Sequence, residues 1–454
     1  MKGRQDMWVG VLSGLVVLAL AAGTGYGAAA ADPSEYIGIG PAGCEFGGDI
    51  RIRQVHFDNI PPRPENHFFR FRTRLWGAAH FGEDVCVHAR IVNEFRDYRD
   101  PDTDAWEFPD EGIVDNLFVE VRDVIDDLLD LRIGRQDLVY GRGRVLLDGT
   151  PLDGSRTIYC DAVKATFKGI ESTTVDLLGI YNEADAELLI DSQDRNLTGL
   201  APWNEEYAES GGGMYVKNDA MADLPFEAYY FYKNEEAHLN DLRSTNPVEV
   251  AEADVHTVGV RLMPALADGV KGNLEAAYQM GEQGDVDLEG MMVDAAVSWM
   301  VPVMEDMKPC LGAGVYYLSG DDPDTADNEG WNPLWARWPQ YSELYVYAWD
   351  AEGGAGRWSN IMMPHADLSL APAKAVKANL LVGQMYAAEG DGPGGGDERG
   401  LLVTLRTDFT LGQDLLLKKD KLFGHLLAEI VDPGDFHADD ELMHFLRWEL
   451  SYAF

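Results

Sequence analysis

The sequence predicts an all-β fold, a transmembrane antiparallel β-barrel of about eighteen strands preceded by a cleaved signal peptide. Three observations carry that expectation. Beyond residue 32 no window approaches the roughly 18 continuous apolar residues of a spanning helix, so a membrane form of this chain must be a closed barrel, the other structure that satisfies every backbone group in lipid. Stretches that alternate apolar and polar residues recur along the chain, separated by long and short connections in turn. The C-terminal stretch LMHFLRWELSYAF puts Leu446, Trp448, Leu450, Tyr452 and Phe454 on one face and Arg447, Glu449, Ser451 and Ala453 on the other. Composition agrees: 46% of residues are hydrophobic, yet mean hydropathy is −0.22, as expected when half of each strand is polar.

Residues 1–31 read as the signal peptide, with Lys2 and Arg4 before an apolar run from Trp8 to Ala22 and a small-residue site at Ala29-Ala30-Ala31. Residues 32–454 read as a single barrel domain. Period-2 stretches place strands at 46–57, 68–82, 84–96, 112–123, 129–140, 158–168, 172–182, 212–219 and 225–234. Nine more follow at 254–264, 271–282, 290–300, 307–319, 361–371, 374–387, 400–412, 421–431 and 441–454. Long connections are expected after the odd-numbered strands, among them 58–67, 141–157, 183–211, 283–289 and 320–360, and brief ones after the even-numbered. That asymmetry is the pattern of outer-membrane barrels, with long external loops and tight periplasmic turns.

Charge is distributed unevenly. The net charge is −42, yet between Gly3 and Val163 there are sixteen arginines and no lysine. In FFRFRTRLW, period 2 sets Arg70, Arg72 and Arg74 opposite Phe69, Phe71, Thr73 and Leu75. If the apolar face meets lipid, these arginines face the lumen. Arg51 and Arg53 oppose Ile50 and Ile52 in the same way, His88 and Arg90 oppose Val87, Ala89 and Ile91, and Glu120 and Arg122 oppose Val119 and Val121. Guanidinium groups bind carboxylates in two-point fashion, so the pattern suits passage of a polymeric acid. It also suits a wall stiffened by ion pairs to Glu94, Glu120 and Asp137.

The stretch from Leu131 to Phe167, LRIGRQDLVYGRGRVLLDGTPLDGSRTIYCDAVKATF, gathers Arg132, Arg135, Arg142, Arg144, Arg156 and Lys164 on two strands and the loop between them. Its order GRQ…YG.GR…G.SRT…DAVK resembles the alginate-export family of outer-membrane proteins. The resemblance implies a single-chain barrel in the bacterial outer membrane that carries an anionic polysaccharide outward. It carries Arg132, Arg135 and Lys164 over as substrate-contacting positions, joining Arg51, Arg53, Arg70, Arg72, Arg74, Arg90 and Arg122 from the strand pattern. Lys164 stands where the family often has another base, which keeps the charge and loses the two-point fork. Arg142 and Arg144 lie past the strand and suit an inward-folded loop. The segment NPLWARWPQYSELYVYAWD resembles one that recurs in relatives, and the terminal Phe454 resembles the assembly signal of bacterial outer-membrane proteins.

The acid sits largely in loops such as RDPDTDAWEFPDEG and SGDDPDTADNEGWNP, which read as solvated surface and make nucleic acid an unsuitable partner. Asp321, Asp322, Asp324 and Asp327 are a weak candidate for Ca²⁺, without the glycine and distal glutamate of a calcium loop; no other cofactor is expected. The aromatics from Trp331 to Trp358 suit sugar stacking, plugging of the pore or packing against the rim. Cys44, Cys86, Cys160 and Cys310 have no C-x-x-C spacing and read as isolated wall residues, with three disulfide connectivities open if they oxidise. The ten histidines form no H-E-x-x-H, and no G-x-S-x-G is present, so no enzyme is expected. Expected partners are outer-membrane lipid, the polysaccharide and a periplasmic export or synthesis machine, around a monomeric barrel. An anion-preferring diffusion porin and a plugged structural or adhesive barrel are the alternatives.

Overall fold

The computed structural model describes residues 37–39, 42–60, 63–103, 108, 111–147, 159–183, 189–191, 208–240, 248–336, 341–352 and 358–454. The expected signal peptide, Arg156 and Trp338 lie outside the described residues.

Eighteen strands make the wall. In order they are β1 Ala42–Ile60, β2 Arg63–Phe81, β3 Val85–Asp100, β4 Glu111–Val121, β5 Leu129–Gln136 and β6 Cys160–Ile170. Next come β7 Thr173–Asn182, β8 Glu209–Asn218, β9 Phe226–Glu235, β10 Ala253–Leu262, β11 Val270–Gln283 and β12 Val286–Met300. The last six are β13 Cys310–Leu318, β14 Ile361–Ala373, β15 Val376–Tyr386, β16 Glu398–Gln413, β17 Lys421–Asp432 and β18 Met443–Ala453. Each strand pairs antiparallel with the next, and β18 pairs with β1 from Asp49↔Ala453 to Asp58↔His444, which closes the ring and leaves no edge. Gly48 and Phe454 exchange backbone hydrogen bonds of 2.9 and 3.0 Å at that seam.

Period 2 decides the two faces. Along β18, Leu446 and Trp448 are exposed while Phe445, Arg447, Glu449 and Ser451 are buried. The same alternation exposes Ile52, Leu75, Val119, Ile133, Val163 and Leu177, a lipid-facing apolar belt around a polar interior.

Each expected strand is present, and the differences lie in the connections. β1 and β2 stay paired as far as Ile60↔Arg63, so the loop expected at 58–67 is strand for most of its length. Between β11 and β12 only Gly284 and Asp285 intervene, with Gly284 at φ 61°, so a hairpin turn replaces the loop expected at 283–289. Charged residues at period 2 fit a strand standing clear of the membrane as well as they fit a loop. β5, expected over 129–140, ends at Gln136, because Leu138 and Tyr140 turn inward and are buried.

Two outer loops fold into the barrel. The loop after β5 runs through Gly141 and Gly143, both at positive φ, to Leu146–Leu147, which pairs in parallel with Trp335–Ala336 from the loop after β13. That second loop continues into helix α1, Leu344–Glu352. Their buried side chains, Leu146, Trp335, Tyr345 and Trp358 among them, join wall residues Phe57, Phe231, Tyr316 and Phe445 in one hydrophobic core inside the barrel. Among the described residues, the aromatics of this loop thus fill lumen and do not lie against the outer rim.

Candidate functional site

The inner face of β1 and β2 sets Asp49 beside Arg74, Arg51 beside Arg72, and Arg53 beside Arg70. Such a stack of like charges is unstable without acids between them, and neighbouring strands supply the acids. Asp49 accepts Arg72 at 3.0 Å and Arg74 at 2.5 Å, Glu94 on β3 accepts Arg70 Nε at 2.6 Å, and Glu449 on β18 accepts Arg53 at 2.6 Å with Arg51 at 3.7 Å. Arg90 on β3 meets Asp115 and Asp137, both at 2.9 Å. Glu120 on β4 takes Arg122 at 2.8 Å and Arg132 Nε at 2.8 Å. The inward arginines are therefore a lattice of ion pairs, and each acid named in the wall-stiffening alternative has an arginine on it. Arg51, Arg53 and Arg72 are nearly inaccessible, whereas Arg122 and Arg132 keep 51% and 35% of their side-chain surface.

On β5 and β6, Arg132 stands opposite Lys164, whose Nζ lies 3.2 Å from Asp176. Two residues on, Gly134 holds φ at 121°, and a side chain there would collide with the Leu117 carbonyl oxygen of β4; this is the glycine of the GRQ motif. Arg135 departs from the group. It is three residues past Arg132, its register partner Leu117 is exposed, and its guanidinium lies on Asp161 at 2.8 Å and over the Tyr159 ring at 3.6 Å, at the outer end of β5 where the chain leaves the wall. Period 2 itself separates Arg132 from Arg135.

Two groups enter the site that strand-by-strand reading passed over. Tyr140, carried inward by the loop after β5, has Lys164 Nζ 5.5 Å and Lys217 Nζ 5.4 Å from its ring centre and packs on Tyr215 at 4.5 Å. Lys217 shares the inward face of β8 with Tyr215, a period-2 relation visible in MYVKN that no neighbouring base emphasised. From the same loop, Arg142 and Arg144 reach Asp294 on β12 at 3.1 and 2.8 Å, and Arg142 stays 40% exposed. The facing wall is acidic and phenolic: Glu227 holds Arg261 at 2.9 Å and Tyr215 at 2.8 Å, and Glu275 accepts Tyr229 at 3.1 Å.

In the acidic outer loop, Asp322 accepts the Asp324 amide and Glu329 accepts the Thr325 hydroxyl, so these oxygens serve the turn itself. Among the described residues no three of His, Cys, Asp or Glu converge as metal ligands. Cys44, Cys86 and Cys310 carry free thiols on β1, β3 and β13, and Cys160 is buried on β6.

A sequence model of the alginate-export family matches residues 43–392, which takes in β1 to β15 and both inward loops. The chain belongs to the alginate-export family. β16, β17 and β18 follow the matched region and complete the ring. Among solved structures, this alginate-export barrel is similar to the outer membrane protein opdK of Pseudomonas aeruginosa, at 10% identity over 90% of this chain and 98% of that one, TM-score 0.59. It is also similar to a BenF-like porin of Pseudomonas fluorescens Pf-5, at 11% identity over 90% and 98%, TM-score 0.55, and to OccAB4 of Acinetobacter baumannii, at 9% over 93% and 100%, TM-score 0.54. At such identities the likeness shows the fold. No curated protein sequence matches the chain. The alginate-export barrel is an outer-membrane channel protein of a bacterium, with its apolar belt in lipid.

Proposed function

We propose that this barrel carries an anionic polysaccharide, an alginate-like polyuronate, outward through the outer membrane, and that Arg132, Lys164, Lys217 and Arg142 are the groups its carboxylates meet. The observation that carries this reading is the set of basic side chains that water still reaches on the inner face of a member of the alginate-export family. Arg132, Lys164 and Arg142 each rest on a wall carboxylate, so a uronate enters by exchange, and binding stays weak enough to release. Arg51, Arg53, Arg70, Arg72, Arg74 and Arg90 lie deeper in their ion pairs and act through the field they set; Arg122 stands at the periplasmic mouth. Arg135 is left to the wall. A periplasmic machine that feeds polymer to a monomeric barrel completes the proposal.

The test is planar-bilayer conductance of the refolded mature chain with and without polyuronate. Block of the wild type, weakened about tenfold in Arg132→Glu and in Lys217→Glu, supports the reading; equal block in all three overturns it. A plugged structural barrel is the second reading, favoured by the loop core inside the lumen, and it gives silent membranes. A small-anion porin gives altered chloride preference and no polyuronate block.

A further inference from the structure

We propose that α1 is the movable gate of this channel, and that Glu429 on β17 with Arg447 on β18 is the latch that holds it across the lumen. Glu429 is 1% exposed and faces the start of the helix. Its Oε2 accepts the Leu344 amide at 2.6 Å and the Ser342 hydroxyl at 2.8 Å, and its Oε1 accepts the Glu343 amide at 3.2 Å. The first amides of a helix have no partner within it and carry partial positive charge, so a carboxylate placed there both satisfies and orients them. Ser342 works to the same end from within, its Oγ accepting the Tyr345 amide at 3.1 Å as an N-cap. Beside it, the Glu343 carboxylate meets Arg447 Nη1 at 2.9 Å.

The rest of the loop is held at two places. Beyond the latch, Tyr347 packs against Phe57 of β1 at 4.5 Å and Phe445 of β18 at 5.9 Å. On the other side of the lumen, Lys233 of β9 donates to the Leu334 carbonyl at 3.0 Å and Gln279 of β11 to the Asn332 carbonyl at 2.7 Å. β9 and β18 stand half a ring apart, so the loop is strapped across the bore. The β9 end is sunk in the Trp335 core and also paired to Leu146–Leu147, a fixed anchor. The β17–β18 end is a nine-residue helix, too short to be stable alone in water, which buries Leu344, Tyr345 and Ala348 in the same core and whose start is held by two wall side chains. Loss of those contacts costs the helix its cap and its position together, and the bore opens on the β17–β18–β1 side.

The experiment needs only KCl, so its outcome is independent of which polymer the channel carries. Single-channel recordings of the mature chain are expected to show rare openings for wild type and an open probability raised about tenfold or more for Glu429→Gln. Arg447→Glu is expected to open the channel likewise by repelling Glu343, and Glu343→Arg in the same chain to close it again. Migration of unboiled protein in detergent gels reports that each variant is a folded barrel. An unchanged open probability in folded Glu429→Gln, or a folded Arg447→Glu that the reversed partner does not re-close, overturns the proposal.

Discussion

Glu449 shows how much a single inner-wall residue holds together. It is buried on the last strand and accepts Arg53 and Arg51 from the first, 396 positions away for Arg53, so it belongs at once to the arginine lattice and to the seam that closes the barrel. Removing one partner of a buried ion pair leaves an uncompensated charge, typically at a cost of about 3–5 kcal/mol. Glu449→Ala is therefore expected to lower unfolding stability by about that amount, read from urea titration of the lipid-reconstituted barrel; a loss below about 1 kcal/mol would show that water hydrates these arginines in place. The sequence already marked Arg51, Arg53, Arg70, Arg72 and Arg74 as inward, because alternation with Ile and Phe is a local property. Their acids come from other strands at registers that only pairing defines.

At the scale of elements, the turn between β16 and β17 shows how the short side of the barrel is made rigid. Asp420 accepts the amides of Leu415, Leu416 and Leu417 at 2.6, 2.7 and 2.8 Å and the Tyr452 hydroxyl at 2.6 Å. Removal from water pushes its carboxyl up, but the Tyr452 hydroxyl and the three amides outweigh that and hold it below the ordinary carboxylate range. An aspartate with a folded value below the ~3.9 of the unfolded chain adds stability that is present above that pH and is lost as pH falls through the folded value. Asp420→Asn is thus expected to melt at a lower temperature than wild type at pH 7, with the two melting curves converging in strong acid; a gap that persists unchanged in acid would assign the effect to shape alone. The inward loops are the other element-scale lesson. Their aromatics were evident in the sequence, while their destination was not, since a run of Trp and Tyr packs equally well on a rim or in a bore.

For the molecule as a whole, closure is the decisive event. β18 pairs with β1 on one side and β17 on the other, and Phe454 ends the chain at that seam with its amide and carbonyl bonded to Gly48. Deleting Phe454 is expected to reduce the folded barrel recovered from outer membranes several-fold, measured by heat-modifiable migration, with much less effect on refolding in detergent. Equal loss in both settings would place the role of Phe454 in the seam itself and not in recognition during assembly.

By itself the sequence determined that the chain spans a membrane as an eighteen-strand barrel, which face of its first four strands and of its last meets lipid and where the arginines gather, because all three follow from a two-residue period and from turn residues that act over a few positions. Its GRQ-to-DAVK order also carried the family. Only the tertiary structure decided that the arginines are paired, that Lys217 joins Tyr140 and Lys164, and that α1 lies inside the bore. Each of these depends on strand register around the closed ring or on where a long loop finds apolar surface. Both are set by contacts between residues far apart in the chain.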